Sequence, residues 1–159
     1  MSIEPEIFCA HSKIELVSNL KPNPQNPNRH SHLQIEALAK WIPKIGWRAP
    51  IVISKRSGLI VKGHARFEAA KLLNLKQVPI DEQIYKSDQD ERADMVGDNS
   101  LSGMSVLDLE LSRGLLMDMP DLASILDISL DVKLFDKEKE LDVTSTETTN
   151  TCPSCGYEW

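Results

Sequence analysis

The 159 residues predict an α+β fold, a small sheet flanked by helices, followed by further helices and a flexible tail. Three observations predict it. Short apolar or alternating runs at 14–17, 50–54, 59–62 and 77–85 read as strands. Segments with apolar residues three and four apart lie between and after them. From Lys133 to Thr151 the pattern dissolves into charge and then Thr, Ser, Glu and Asn. With 41% hydrophobic and 26% charged residues, the chain suits one compact domain plus an appendage; at 5% aromatic, its core must be built from Leu, Ile, Val and Ala.

Ile14-Glu15-Leu16-Val17 alternates and reads as the first strand, followed by an Asn-rich loop held extended by Pro22, Pro24 and Pro27. That stiffness delivers Arg29 and His30 to a fixed place just before Ser31, a helix N-cap with Gln34 completing a capping box. The helix shows Ile35, Leu38, Ala39 and Ile42 on one face, and Pro43 is expected to end or kink it. Pro50–Ser54 and Leu59–Lys62 read as a hairpin through Lys55-Arg56-Ser57-Gly58, their continuous apolar runs asking for cover on both faces. Gln77–Tyr85 reads as a further strand, with Pro79 arguing for an edge or a strand start. Ser87 caps a helix expected to run to about Gly97, and Ser105 a second to about Met119, where Pro120 stops it. Leu107, Leu111 and Leu115 give that last helix an apolar face, and Gly114 within it marks a close packing contact. The expected organisation is a domain with C-terminal helices over 1–119, an acidic, mostly flexible linker over 120–151, and a short knuckle at 152–159.

The stretch Leu59-Ile60-Val61-Lys62-Gly63 followed by His64–Leu73 reads as strand, tight turn and helix. A glycine there lets the backbone approach a ligand, and the first turn of the helix offers unpaired N–H groups and a positive dipole end. Arg66 can grip a phosphate through two parallel hydrogen bonds, while His64 can donate, accept or shuttle a proton. Charge distribution supports this placement. Residues 1–80 carry a local +7 and residues 81–159 a local −13, giving the overall −6, and all four histidines lie in the first half. A basic half around a phosphate-type turn suits nucleotide or nucleic acid, whereas the acidic half argues against tight nonspecific coating of DNA. No apolar run approaches the ~20 residues of a membrane span, and Glu4 and Glu6 stand where a signal peptide would be basic. A cytoplasmic protein with no membrane partner is expected. Three cysteines, two in a Cys-x-x-Cys, suit a reducing compartment rather than a disulfide framework.

Several motifs in one order carry a family likeness: Leu20-Lys21-Pro22-Asn23-Pro24-Gln25-Asn26-Pro27-Asn28-Arg29-His30, then Pro50-Ile51-Val52-Ile53, Gly63-His64-Ala65-Arg66 with Ala69-Ala70, Val78-Pro79-Ile80, and Gly97-Asp98-Asn99. The chain resembles the ParB/sulfiredoxin superfamily over about residues 14–119, most of all the ParB-like "nuclease" domains of phages and of the front of some phage-type DNA methyltransferases. The resemblance implies a small mixed sheet flanked by helices, with the helix after Ser31 continuing for another turn. In CTP-binding ParB clamps the turn reads Gly-Glu-Arg-Arg and grips the triphosphate; here Gly63 and Arg66 match, but His64 and Ala65 replace the middle pair. In sulfiredoxins it reads Gly-Cys-His-Arg, and His64 stands where the reactive cysteine would be, which excludes that chemistry. Asp98-Asn99 looks like the Glu-Asn box that helps hold metal and phosphate, with Ser102 at the position of a downstream arginine.

These comparisons give a phosphate or nucleotide site of Arg29, His30, Gly63, His64, Arg66 and Asn99, with His64 and Arg66 the candidates for catalysis and Asp98 for Mg²⁺ brought with a nucleoside triphosphate. No acidic residue lies between Glu15 and Glu36, so the loop carboxylate that serine-phosphorylating relatives use as base is missing, and a two-metal nuclease is short of ligands. Two functions stay open: a DNA-associated phosphate-recognising module of phage or mobile-element type, or an enzyme, either a nuclease or a CTP- or ATP-dependent phosphotransferase or hydrolase. Expected partners are DNA or a nucleotide, a second copy of the chain, and a methyltransferase or other phage DNA-processing protein. The final Cys152-Pro153-Ser154-Cys155 resembles one knuckle of a zinc ribbon, so Cys152 and Cys155 are candidate Zn²⁺ ligands. The remaining two would come from a second knuckle in a dimer or from Cys9 with His11; otherwise the tail binds no metal.

Overall fold

The structure, a computed structural model, describes residues 4–128. Four strands form one mixed sheet in the order β1-β4-β2-β3: β1 (Lys13–Leu16), β2 (Ile51–Ser54), β3 (Ile60–Lys62) and β4 (Gln77–Gln83). β4 runs antiparallel to β1 and parallel to β2, while β2 and β3 make an antiparallel hairpin. Alternation along the strands explains why both faces are covered. Ile51, Ile60, Val78 and Ile80 point to one face, where α1 (His32–Ile45) and α2 (His64–Leu72) bring Ala39, Ile42, Phe67, Ala69 and Ala70. Val52 and Val61 point to the other, against Met95 of α3 (Asp88–Ser102) and the ring of Tyr85.

Pro79 is not at an edge. β4 lies between β1 and β2, and the proline is accommodated by register. Val17 N–H donates to the Lys76 carbonyl at 3.0 Å, so counting in twos places the Ile14/Pro79 pair at an unbonded position of the β1 ladder. The prolyl nitrogen therefore faces β2, whose pairing begins one residue later with Ile51 opposite Ile80.

The helix after Ser31 does not end at Pro43 but continues two residues further, to Ile45, short of the additional turn of its relatives. A proline in the last turn removes one bond, to the Ala39 carbonyl, and leaves the rest. Gly46 ends it. Its φ is +77°, and a Cβ there would collide with the Phe8 ring and lie 2.8 Å from the Glu6 carbonyl oxygen. The capping box forms by half: Ser31 Oγ accepts from Gln34 N–H at 3.2 Å, but the Gln34 side chain lies 3.1 Å from His30 Nδ1.

The C-terminal helices differ from expectation in their bounds. α3 runs through Gly97 to Ser102; an interior glycine weakens a helix by about 1 kcal/mol without breaking it. Asp108, not Ser105, caps the next helix, α4 (Leu109–Leu116), by accepting from Leu111 N–H at 2.9 Å. The Ser105 hydroxyl instead donates to the Ser102 carbonyl. Pro120 opens α5 (Pro120–Ile125) rather than stopping its predecessor, because a first helical position needs no N–H. Ala123 and Ile128 are buried there, and Lys44 of α1 pairs with Asp121 at 2.9 Å. Leu107, Leu111 and Leu115 are exposed, and a Cβ on Gly114 would meet nothing within 4 Å, so the expected packing contact is absent among the described residues. The boundary drawn at residue 119 falls between α4 and α5, and Cys152 and Cys155 lie outside the described residues. Among the described residues, no helix is long and apolar enough to cross a membrane.

Candidate functional site

Strand β3 ends at Lys62 and the chain turns into α2 through Gly63, whose φ of 91° and ψ of 24° are left-handed. A Cβ at Gly63 would stand 3.3 Å from Ile51 Cα in the neighbouring strand, so both conformation and space select glycine. The amides of the first turn of α2 have no carbonyl behind them. The same hypothetical Cβ would be 3.7 Å from Arg66 Nη1, which places the guanidinium over the turn. Arg66 is half-buried and has neither hydrogen bond nor ion pair among the described residues. Burial pushes its pKa down, with Cys9 and Asp98 opposing that shift by charge, so the cation is held partly out of water with little to meet it.

His64 is buried, and its Nε2 accepts the backbone N–H of Asn23 at 3.2 Å. An accepting nitrogen must be unprotonated, so the ring is neutral and carries its hydrogen on Nδ1. Burial lowers its pKa below the ordinary 6.5, the charge of nearby His30 adds to that, and Glu68 opposes it. A depressed pKa means that the unfolded chain binds the proton more tightly, so this contribution to stability is complete above pH 6.5 and is lost as pH falls below it. Thermal melts at stepped pH should therefore show stability falling below pH 6.5, with part of that slope removed in His64→Leu. Identical slopes in the two proteins would show that His64 is not the group responsible.

The loop from Leu20 to Ser31 is stitched by its asparagines. Asn23 Oδ1 accepts from Gln25 N–H at 2.9 Å, while the Asn26 side chain accepts from Asn28 N–H and donates to the Asn28 carbonyl, both at 3.2 Å. The prolines bring no N–H that needs a partner. Asn28 Nδ2 donates to Asn99 Oδ1 at 2.7 Å, and Asn99 Nδ2 donates to the Met95 carbonyl at 2.8 Å. Arg29, the next residue, is exposed and makes no hydrogen bond or ion pair among the described residues.

Asp98 interacts electrostatically with Arg66, but its carboxylate lies 3.4 Å from Lys62 Nζ. Lys62 also pairs with Asp94 at 2.9 Å, and Asp94 accepts from the Tyr85 hydroxyl at 2.8 Å. Burial works against the Lys62 ammonium, yet the two carboxylates hold its pKa above the usual value. Below this cluster Glu91 is buried and accepts from the Ser54 and Ser57 hydroxyls, each at 2.6 Å, tying α3 to the hairpin.

The structure sets Arg66 over the Gly63 turn within electrostatic reach of Asp98, and His64 within that of His30; Asn99 bonds the loop through Asn28, and neither it nor Arg29 makes a hydrogen bond to the turn among the described residues. Sequence reading missed Asn23, Asn28, Lys62, Asp94 and Glu91; Asp94 and Asp98, one turn apart on a helix facing Lys62, were the one local signal available. Cys9, named in the sequence only as a candidate zinc ligand, is partly buried with its thiol interacting with the Arg66 charge, while burial raises its pKa. No group of three His, Cys, Asp or Glu fit to hold a metal occurs among the described residues, and Asp98 is already paired with Lys62. These residues do not form a Mg²⁺ site by themselves; Asp98 could offer one ligand to an ion arriving with phosphates.

The ParB N-terminal domain matches residues 10–100, more than half of the chain. The ParB-like nuclease domain-containing protein YnaK of Escherichia coli K12 is 34% identical over 64 residues, covering 40% of this chain and 72% of YnaK. Among solved structures, the C-terminally truncated chromosome-partitioning protein ParB of Caulobacter crescentus, complexed with CTP-γ-S, superposes with a TM-score of 0.58 at 24% identity, over 74% of this chain and 72% of that one. Sulfiredoxin of Arabidopsis thaliana aligns with a TM-score of 0.40 at 18% identity, over 53% of this chain and 97% of its own. With the motif order, the mixed sheet and the match over residues 10–100 in agreement, the chain belongs to the ParB N-terminal domain family, within the ParB/sulfiredoxin superfamily.

Proposed function

We propose that this domain recognises a phosphate-bearing ligand at the Gly63–Arg66 turn and works in association with DNA. The observation that carries the reading is Arg66, a half-buried guanidinium over a helix N-terminus with no partner among the described residues. A charge kept in that state is stabilised by an anion that uses the guanidinium and the open amides together. A nucleoside triphosphate fits this site best, with support from the CTP-γ-S complex of the Caulobacter relative. Arg66 supplies charge to the phosphates, and His64 holds the loop through its accepting nitrogen. Neither role requires proton transfer, so the reading is one of binding. Mg²⁺, where it takes part, neutralises phosphate charge and comes with the ligand.

Titration with CTP, ATP and a short duplex DNA, each with and without Mg²⁺, tests this. Saturable binding of a nucleotide that weakens with added salt is the expected result. Binding of the duplex alone would move the site from nucleotide to DNA phosphate, and absence of binding by all three at low salt would remove the reading.

A further inference from the structure

Helix α4 is eight residues long and buries none of them against the other described residues. Leu107, Leu111 and Leu115 are 63%, 61% and 66% exposed. Gly114, whose missing side chain leaves open space, makes a shallow groove beside the last two, with Asp108 and Glu110 on its rim. A helix this short does not hold by itself. Isolated helices under about 12–15 residues are marginal in water, and most helical stability comes from covering an apolar face. The packing of α4 on α5 leaves this one open.

What comes within reach of the face is the chain's own continuation. A link of three residues, 117–119, folds α5 against α4, and α5 is itself only about 9 Å long. At its end the chain reverses: Asp127 has a φ of 55°, and Ile128 N–H donates back to the Ala123 carbonyl at 2.9 Å, both Ala123 and Ile128 being buried. The next residues therefore start close to α4. They read Ser129-Leu130-Asp131-Val132-Lys133-Leu134-Phe135, an apolar stretch followed at once by the charged run Asp136-Lys137-Glu138-Lys139-Glu140. Seven residues extend up to about 24 Å, twice the roughly 12 Å length of α4. Charge agrees as well, since Lys133 lies between Val132 and Leu134 and the groove is rimmed by two carboxylates.

We propose that residues 130–135 dock along α4 and cover Leu107, Leu111 and Leu115, with Lys133 at the acidic rim. A second copy of the chain could offer apolar surface too, but a segment tethered this closely has an effective concentration in the millimolar range and takes the face first. The inference goes beyond the phosphate reading and does not depend on what binds at the Gly63–Arg66 turn.

The test uses the full chain and a triple variant of it, Leu130→Ser, Val132→Ser and Leu134→Ser, which leaves every residue of the described domain unchanged. In the wild type, nuclear Overhauser contacts are expected from Leu134 and Phe135 to the methyls of Leu111 and Leu115, within one chain of a mixed-label sample. Amide exchange across α4 should quicken about tenfold in the variant, the equivalent of about 1.4 kcal/mol. Contacts on these leucines that arise only between differently labelled chains would put a second copy on the face and overturn the proposal. Equal exchange across α4 in the two proteins, with no contact from residues 130–135, would overturn it too.

Discussion

Arg66→Ala is expected to weaken binding of the phosphate probe by at least about tenfold, the equivalent of about 1.4 kcal/mol, while the ligand-free protein melts no lower than the wild type. Opposite effects on ligand and fold follow from one observation. The guanidinium is half-buried, its pKa is pushed down mainly by burial, and no hydrogen bond or ion pair among the described residues offsets that cost. Removing it relieves the free protein and deprives the bound one. Arg66→Lys should recover only part of the affinity, since an ammonium cannot make the paired bonds of a guanidinium. Calorimetry with the probe, together with thermal melts without it, measures both effects. A large fall in melting temperature with unchanged affinity would show that Arg66 serves the fold, and would sink the phosphate reading.

The largest expected loss of stability is at Glu91. Its carboxylate accepts two hydroxyl donors at 2.6 Å in a buried position, and Ser54 is itself only 1% exposed. Glu91→Ala leaves the Ser54 hydroxyl donor buried without an acceptor and cuts the link from α3 to the hairpin, a loss of about 3 kcal/mol. For a domain of this size that lowers Tm by roughly ten degrees or more. Glu91→Gln should lose about half as much, because the amide keeps a carbonyl acceptor for one serine and the other hydroxyl can turn to accept from its nitrogen. Denaturant melts of the three proteins decide the matter. An alanine variant within about 0.5 kcal/mol of the wild type would mean that α3 is held in place without this carboxylate.

What could be read from the sequence was local. The glycine turn announces itself because strand, glycine and helix formers follow one another directly, and Ser31 and Ser87 cap helices by bonds spanning three residues. The hairpin is legible for the same reason. The rest depends on which segments the sheet order makes neighbours. Asn28 meets Asn99 across 71 positions, and Asn23 meets His64 across 41, only because β4 enters the sheet between β1 and β2. No periodicity encodes that insertion. Pro79 misled for this reason: the rule for prolines in sheets is about a missing donor, and whether the donor is missed depends on where the neighbouring strand begins. By type His64 could donate, accept or shuttle a proton, and the structure shows its Nε2 accepting from the backbone N–H of Asn23. Arg66 was read as a phosphate ligand from its position after the turn; that it has no hydrogen bond or ion pair among the described residues became visible only when the chain was folded.

The sheet order also bears on the sequence of events by which the chain reaches this state. β2, β3, α2 and β4 lie within residues 51–83, so the parallel pair and the glycine turn close over short stretches of chain. β1 pairs with β4 across the whole of that unit, Lys13 finding Ile80, and closing so long a stretch is entropically slower. By contact separation the turn that carries Arg66 is expected to form first, with the N-terminal strand and its asparagine loop docking onto it afterwards. During synthesis the N-terminal segment leaves the ribosome first but must wait for β4 to emerge before it has anything to pair with.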